Sequence, residues 1–146
     1  MAYLITQYLH FLGILTLFAT CLLEHRLLAP TLSRSDIRRL MRIDILLGIE
    51  ALVVLLSGLS LTLWLAKPLD YYLGNGVFHL KYTLFILIGL ISAYPTQFFL
   101  RHRKGDPEQQ IAVPAAVRRV IRLELAGILC LPLLALLMAN GYGMIK

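Results

Sequence analysis

The chain has 146 residues, of which 59% are hydrophobic and only 15% charged, with a mean hydropathy of +0.77. An ordinary soluble domain is excluded, because folding in water could not hide that much apolar surface. The net charge of +6 is gathered in two short basic stretches without interleaved aromatic residues, which argues against nucleic acid and for contact with anionic membrane lipids.

Four apolar runs, roughly 3–23, 45–66, 82–100 and 125–139, each approach the ~20 residues that carry a helix across a ~30 Å hydrocarbon core. They predict an all-α polytopic membrane protein, a single domain folded as a four-helix antiparallel transmembrane bundle with helices at approximately 2–28, 36–66, 77–103 and 115–141. The first run has no basic segment before it and no small-residue cleavage site after it, so it reads as a retained helix rather than a signal peptide. Arg26, Arg34, Arg38, Arg39 and Arg42 crowd the first connection. Arg101, Arg103, Lys104, Arg118, Arg119 and Arg122 crowd the third, against Lys67 alone in the second. The positive-inside bias predicts both termini outside the cell membrane and connections one and three in the cytoplasm.

In the first helix, His10 and Glu24 are 14 residues apart, close to a whole number of turns, so they project from nearly one face about 21 Å apart. Gly13, Leu17, Thr20 and Cys21 fall on or beside that stripe. Such a stripe either packs a neighbouring helix closely or leaves a groove for a flat cofactor. Cys21 and Cys130 both lie inside apolar runs, and CxxC, CxxCH and HExxH patterns are absent. A structural disulfide, covalently attached haem and the common zinc motifs are therefore not expected.

Ser33-Arg34-Ser35-Asp36 offers an N-cap for the second helix. Its acids Asp44 and Glu50 lie about 240° apart and about 9 Å apart in depth. An unpaired carboxylate at the depth of Glu50 is costly. With Glu24 and Glu124 these acids form an inner layer at the level of Arg39, Arg42, Arg122 and His25. The layer reads either as an ion-pair belt fixing helix order or as a proton-handling cluster in which Glu50 is the first suspect.

The second connection, KPLDYYLGNG, carries turn signals at Pro68 and Gly74-Asn75-Gly76, and its tyrosines with Trp64 suit an aromatic belt. His79 and Lys81 then open the third helix about 200° apart, so only one of them can face the bundle interior. Few acids lie near Lys81 in sequence. It either snorkels to the interface or meets an anionic ligand such as a haem propionate or a lipid phosphate. His10 and His79 lie at different depths, so a haem held by His10 alone is easier to build than one held by both. The segment KGDPEQQIAVP reads as the one polar, flexible connection, tolerant of insertion.

The stretches YLHFLGILTLFA, YYLGNGVFHLKYTLFILIGLISAYPT, FFLRHRKG and LMANGYG resemble an uncharacterised family of predicted bacterial inner-membrane proteins. The resemblance covers nearly the whole chain and implies no reaction. More distantly, LH followed by FA in helix one, RRLxRI entering helix two and HxK opening helix three are similar to the bacterial membrane-bound, haem-containing protoporphyrinogen IX oxidase family and to copper-resistance-D-like membrane proteins. That resemblance implies haem b with His10 as iron ligand, His79 as the histidine of HxK and Lys81 as a lysine needed for activity. It departs at Leu17, where a tryptophan is usual.

The function expected is a redox protein of the bacterial inner membrane, holding a b-type haem near the outer leaflet and acting on quinone or a hydrophobic porphyrin-like substrate. His10, His79 and Lys81 would bind the cofactor, Lys81 would also pair with propionate or substrate, and Glu50 would accept a proton. Two alternatives stand beside it. One is a small oligomeric transporter moving protons or ions through the inner carboxylates; the other is a non-catalytic accessory subunit.

Overall fold

The computed structural model describes residues 1–145, most of them in four long helices. α1 spans Ala2–Leu27, α2 Arg34–Ser60, α4 Gly76–His102 and α5 Ala115–Ala139, while a short α3 at Leu69–Leu73 sits in the second connection. All four long helices are long and apolar enough to cross a membrane, α2 together with a π-helical turn that continues it through Leu65. α1 packs chiefly on α2 and α4 on α5, and α1–α5 and α2–α4 contacts close the four into a ring.

The outer surface explains why this arrangement needs lipid. Leu4, Phe11, Leu90, Leu123 and Leu136 each expose more than half of their surface, which is cheap in hydrocarbon and costly in water. The interior is narrower. Near the basic end, Ile37, Leu40, Phe99, Val117 and Ile121 form one core; midway along the bundle, Leu17, Cys21, Leu47, Val54 and Ile128 form another. Gly13 lies between α1 and α2 at a point where a Cβ would come within 2.9 Å of Val54 Cγ2. The small-residue stripe of α1 is therefore spent on helix packing at this position. Cys21 is buried and Cys130 exposed, both as free thiols.

At the basic end the first and third connections are stitched together by a two-stranded antiparallel ribbon, β1 (Thr31–Ser33) on β2 (Gln110–Ala112), with Leu32 opposite Ile111. Ser33 caps α2 by accepting the Asp36 backbone N–H at 3.1 Å. The Arg34 guanidinium donates to the Lys104 carbonyl and to the Gln109 side chain, and Val113 N–H donates to the Pro30 carbonyl at 2.8 Å. The segment read as a flexible connection is thus tied along its second half. Its backbone groups find partners in residues 30–35 that sequence separation conceals.

The opposite end gathers the second connection and the last described residues. Asn75 is fully enclosed. Its Oδ1 accepts from Phe78 N–H at 3.1 Å, capping α4, and its Nδ2 donates to the Tyr142 carbonyl at 3.1 Å. Gly76 N–H donates to the Gly143 carbonyl at 2.7 Å and Ile145 N–H to the Gly74 carbonyl at 2.8 Å. Gly143 has φ of +83°, where a Cβ would also press within 2.9 Å of Val77 N, so this closure requires glycine.

Candidate functional site

The site begins with how α2 holds His10. Ser57 lies buried on α2, and its hydroxyl donates to the Val53 carbonyl at 2.6 Å. His10 Nδ1 lies 3.0 Å from that hydroxyl oxygen and 3.1 Å from the Val54 carbonyl. The carbonyl can only accept, and the serine proton is engaged at its shortest contact, so Nδ1 carries the imidazole proton. In the neutral ring this leaves Nε2 with its lone pair. Gly58 makes the approach possible, since a Cβ there would meet His10 Cε1 at 3.0 Å.

His10 opens onto a cavity of about 340 Å³ in the end of the bundle that contains the second connection. Its polar lining comes from Tyr3, Gln7 and His10 of α1, Thr62 beyond α2, Tyr72 of α3, and Lys81 and Tyr82 of α4. Phe11, Phe78, Phe85, Leu131 and Met138 supply apolar walls. The α2 side is shaped by the π-helical turn, in which Ala66 N–H reaches back to the Leu61 carbonyl at 2.9 Å. Such turns are often found beside functional sites. A local cause is visible here: Ser57, Ser60 and Thr62 each bond the carbonyl four residues earlier, which loosens the helix ladder.

Lys81 and His79 take opposite sides, as their spacing on a helix requires. Lys81 lines the cavity, where no carboxylate accompanies it. His79 is exposed, and its Nε2 bonds the Leu73 carbonyl at 2.9 Å, tying α4 to the end of α3. The structure therefore brings His10 and Lys81 together and leaves His79 outside. Glu50 also lies elsewhere, half-buried, with Oε1 accepting from the Thr20 hydroxyl at 3.1 Å.

Nearer the basic end the inner acids behave differently from an ion-pair belt. Glu24 and Glu124 are 0% and 1% exposed, and none of their four carboxyl oxygens has a hydrogen-bond partner among the described residues. Asp44 is buried and accepts from the Thr96 hydroxyl at 3.0 Å. Arg39, Arg42 and Arg122 are exposed. Helix phase explains the correction. Arg42 and Asp44 are two residues apart, as are Arg122 and Glu124, so each arginine points about 200° away from its neighbouring acid.

At the cavity the residues present meet only part of what a haem would need. His10 offers one ring nitrogen whose partner nitrogen is oriented by a carbonyl and a hydroxyl, a support also given to metal-binding imidazoles, and Lys81 offers a cation for a carboxylate. A bis-histidine haem does not fit, because His79 is engaged outside. The volume lies at the low end of the ~300–1,000 Å³ typical of ligand clefts, so a single ring such as a quinone head is accommodated more easily than a full tetrapyrrole. Among the described residues no cluster of three or more His, Cys, Asp or Glu side chains could hold a bare metal ion.

A family described as "Predicted membrane protein (DUF2214)" matches residues 2–143. The chain belongs to this family. Membership accounts for the long resemblance seen in the sequence and carries no reaction with it, since the family is one of unknown function. No curated protein and no solved structure matches the chain.

Proposed function

We propose that this member of the family is a membrane redox protein that binds a lipophilic ring ligand bearing acidic or carbonyl oxygens, a b-type haem or a quinone, in the cavity between His10 and Lys81. The observation that carries the reading is the oriented imidazole of His10, with Nδ1 committed to Ser57 and Val54, in a mainly apolar cavity whose one cation has no counter-charge. Lys81 would hold the ligand's anionic group, and Tyr72 and Tyr82 would flank it. A bound haem would supply one-electron chemistry. The distant similarity to haem-containing oxidases favours that cofactor, and the modest volume favours quinone. By the positive-inside bias, the cavity would face the outer leaflet of a bacterial inner membrane, with the termini outside.

The test is an absorption spectrum of detergent-purified protein from haem-sufficient cells, oxidised and reduced. A Soret band with reduced α and β bands, lost in His10→Ala, is the expected result for haem. A colourless protein that also gives no saturable shift of the Soret band on titration with haemin removes haem from the reading. Trp64, the only tryptophan, lies in the π-helical turn beside cavity residues Leu61 and Thr62. Trp64 is itself exposed to the surrounding detergent, so the test of the remaining ligand class is a saturable quenching of its fluorescence by a short-chain quinone that is lost in His10→Ala.

A second reading is favoured by one observation, the enclosed and partnerless carboxyls of Glu24 and Glu124. Acids without a counter-charge at such depth are expensive and commonly handle protons or ions. Against transport through a single chain, the apolar layer of Leu17, Leu47 and Ile128 lies between these acids and the cavity. Proton flux into dye-loaded proteoliposomes, lost in Glu124→Gln, would favour this reading over the first.

A further inference from the structure

A second cleft, of about 340 Å³, opens at the basic end between α1 and α5, lined by His25, Leu28, Arg118 and Arg122. It lies away from the His10 cavity and shares no residue with it. We infer that His25, Arg118 and Arg122 form an oxyanion site for a phosphate ester, and that the headgroup of an anionic phospholipid is its occupant.

Arg118 Nε and His25 Nδ1 are enclosed by protein yet have no hydrogen-bond partner among the described residues. A guanidinium Nε is always a donor, so Arg118 presents an unmet demand for an acceptor. Arg122 stands one turn later on the same face of α5, and its Nε reaches only the Arg118 carbonyl, at a long 3.4 Å. No carboxylate lines the cleft. The acids closest in sequence, Glu24 and Glu124, are buried and point away into the bundle.

Two paired guanidinium groups suit a phosphate, whose oxygens accept in a matching fork. Arg118 is the fourth residue of α5, within the turn where the helix dipole also favours an anion. Depth selects the lipid. The cleft lies where the apolar spans of α1 and α5 meet the basic connections, which is headgroup level, and basic pockets between transmembrane helices there bind anionic lipids. Leu28 offers apolar contact for the glycerol portion.

The test is a titration of delipidated, detergent-purified protein with phosphatidylglycerol, read by native mass spectrometry, on wild type and on Arg118→Gln, Arg122→Gln and Arg119→Gln. Arg119 is exposed and outside the cleft, so its variant removes the same charge without touching the site. One tightly held lipid per wild-type chain is expected, with affinity falling at least about tenfold in the first two variants and less than about twofold in Arg119→Gln. Inorganic phosphate at millimolar concentration distinguishes the source. Displacement of the lipid, with the same arginine dependence, would keep the oxyanion site but assign it to free phosphate; no displacement assigns it to the lipid headgroup. Equal loss in all three variants would reduce the effect to diffuse charge and overturn the proposal, as would wild-type affinity in Arg118→Gln. Should either cleft variant fail to fold, Arg118→Lys and Arg122→Lys keep the charge without the fork and are expected to lose most of the affinity.

Discussion

At the end of the bundle that carries the second connection, His10 is held by two partners, leaves one ring nitrogen available and faces open space. Toward the basic end, Glu24 and Glu124 are enclosed more completely, have no partner and do not line that cavity. The two regions show what burial alone fails to say. A polar group that is oriented, supported and next to a cavity meets the geometric requirements for binding a ligand. One that is merely enclosed imposes a desolvation cost, and its role depends on whether a proton or ion reaches it.

The comparison is most exposed to His10→Ala, which should weaken ligand binding by about 100-fold or more while lowering stability by only about 1 kcal/mol, the loss of one interhelical hydrogen bond from a pre-formed cavity. Spectral or fluorescence titration beside circular-dichroism melting would check both halves. Ser57→Ala is a gentler form of the same test. It leaves the imidazole in place and removes the hydroxyl beside Nδ1, so affinity should fall about tenfold, measured by the same titration.

Stability effects come next. Asn75→Ala removes the α4 cap and the bond to the Tyr142 carbonyl, and should cost about 1–2 kcal/mol in detergent unfolding. Glu124→Gln should have the smallest effect. The carboxyl makes no hydrogen bond of normal geometry, and an amide can keep its contact with the nearby Ser92 hydroxyl, so thermal stability should be equal or slightly higher and ligand affinity should stay within about twofold. A loss near 3–5 kcal/mol would show that Glu124 is half of a charge pair after all.

Much of this was legible in the sequence, and for identifiable reasons. The four spans follow from hydropathy alone, because lipid-facing residues such as Leu90 and Leu123 must be apolar whatever the packing. The opposed directions of His79 and Lys81 follow from helix phase. Which of the two enters the bundle did not, because it depends on the roll of α4 against α2 and α5. The ion-pair reading of the inner layer fails for a related reason: similar numbers of acids and arginines at one depth say nothing about whether they share an azimuth. The β1–β2 ribbon was hidden because three-residue strands separated by about eighty residues leave no periodic trace. The π-helical turn had a faint signal, the Ser57, Ser60 and Thr62 hydroxyls crowding the last turns of α2.

The central claim is that the His10–Lys81 cavity, and not the inner acids, is where this protein takes its ligand. The most direct measurement titrates haemin and a short-chain quinone into wild type, His10→Ala and Glu124→Gln, following the Soret band and Trp64 fluorescence. The account predicts saturable binding of at least one of them to wild type and to Glu124→Gln, and none to His10→Ala. Binding that survives in His10→Ala but disappears in Glu124→Gln, or no binding of either ligand to wild type, would contradict it.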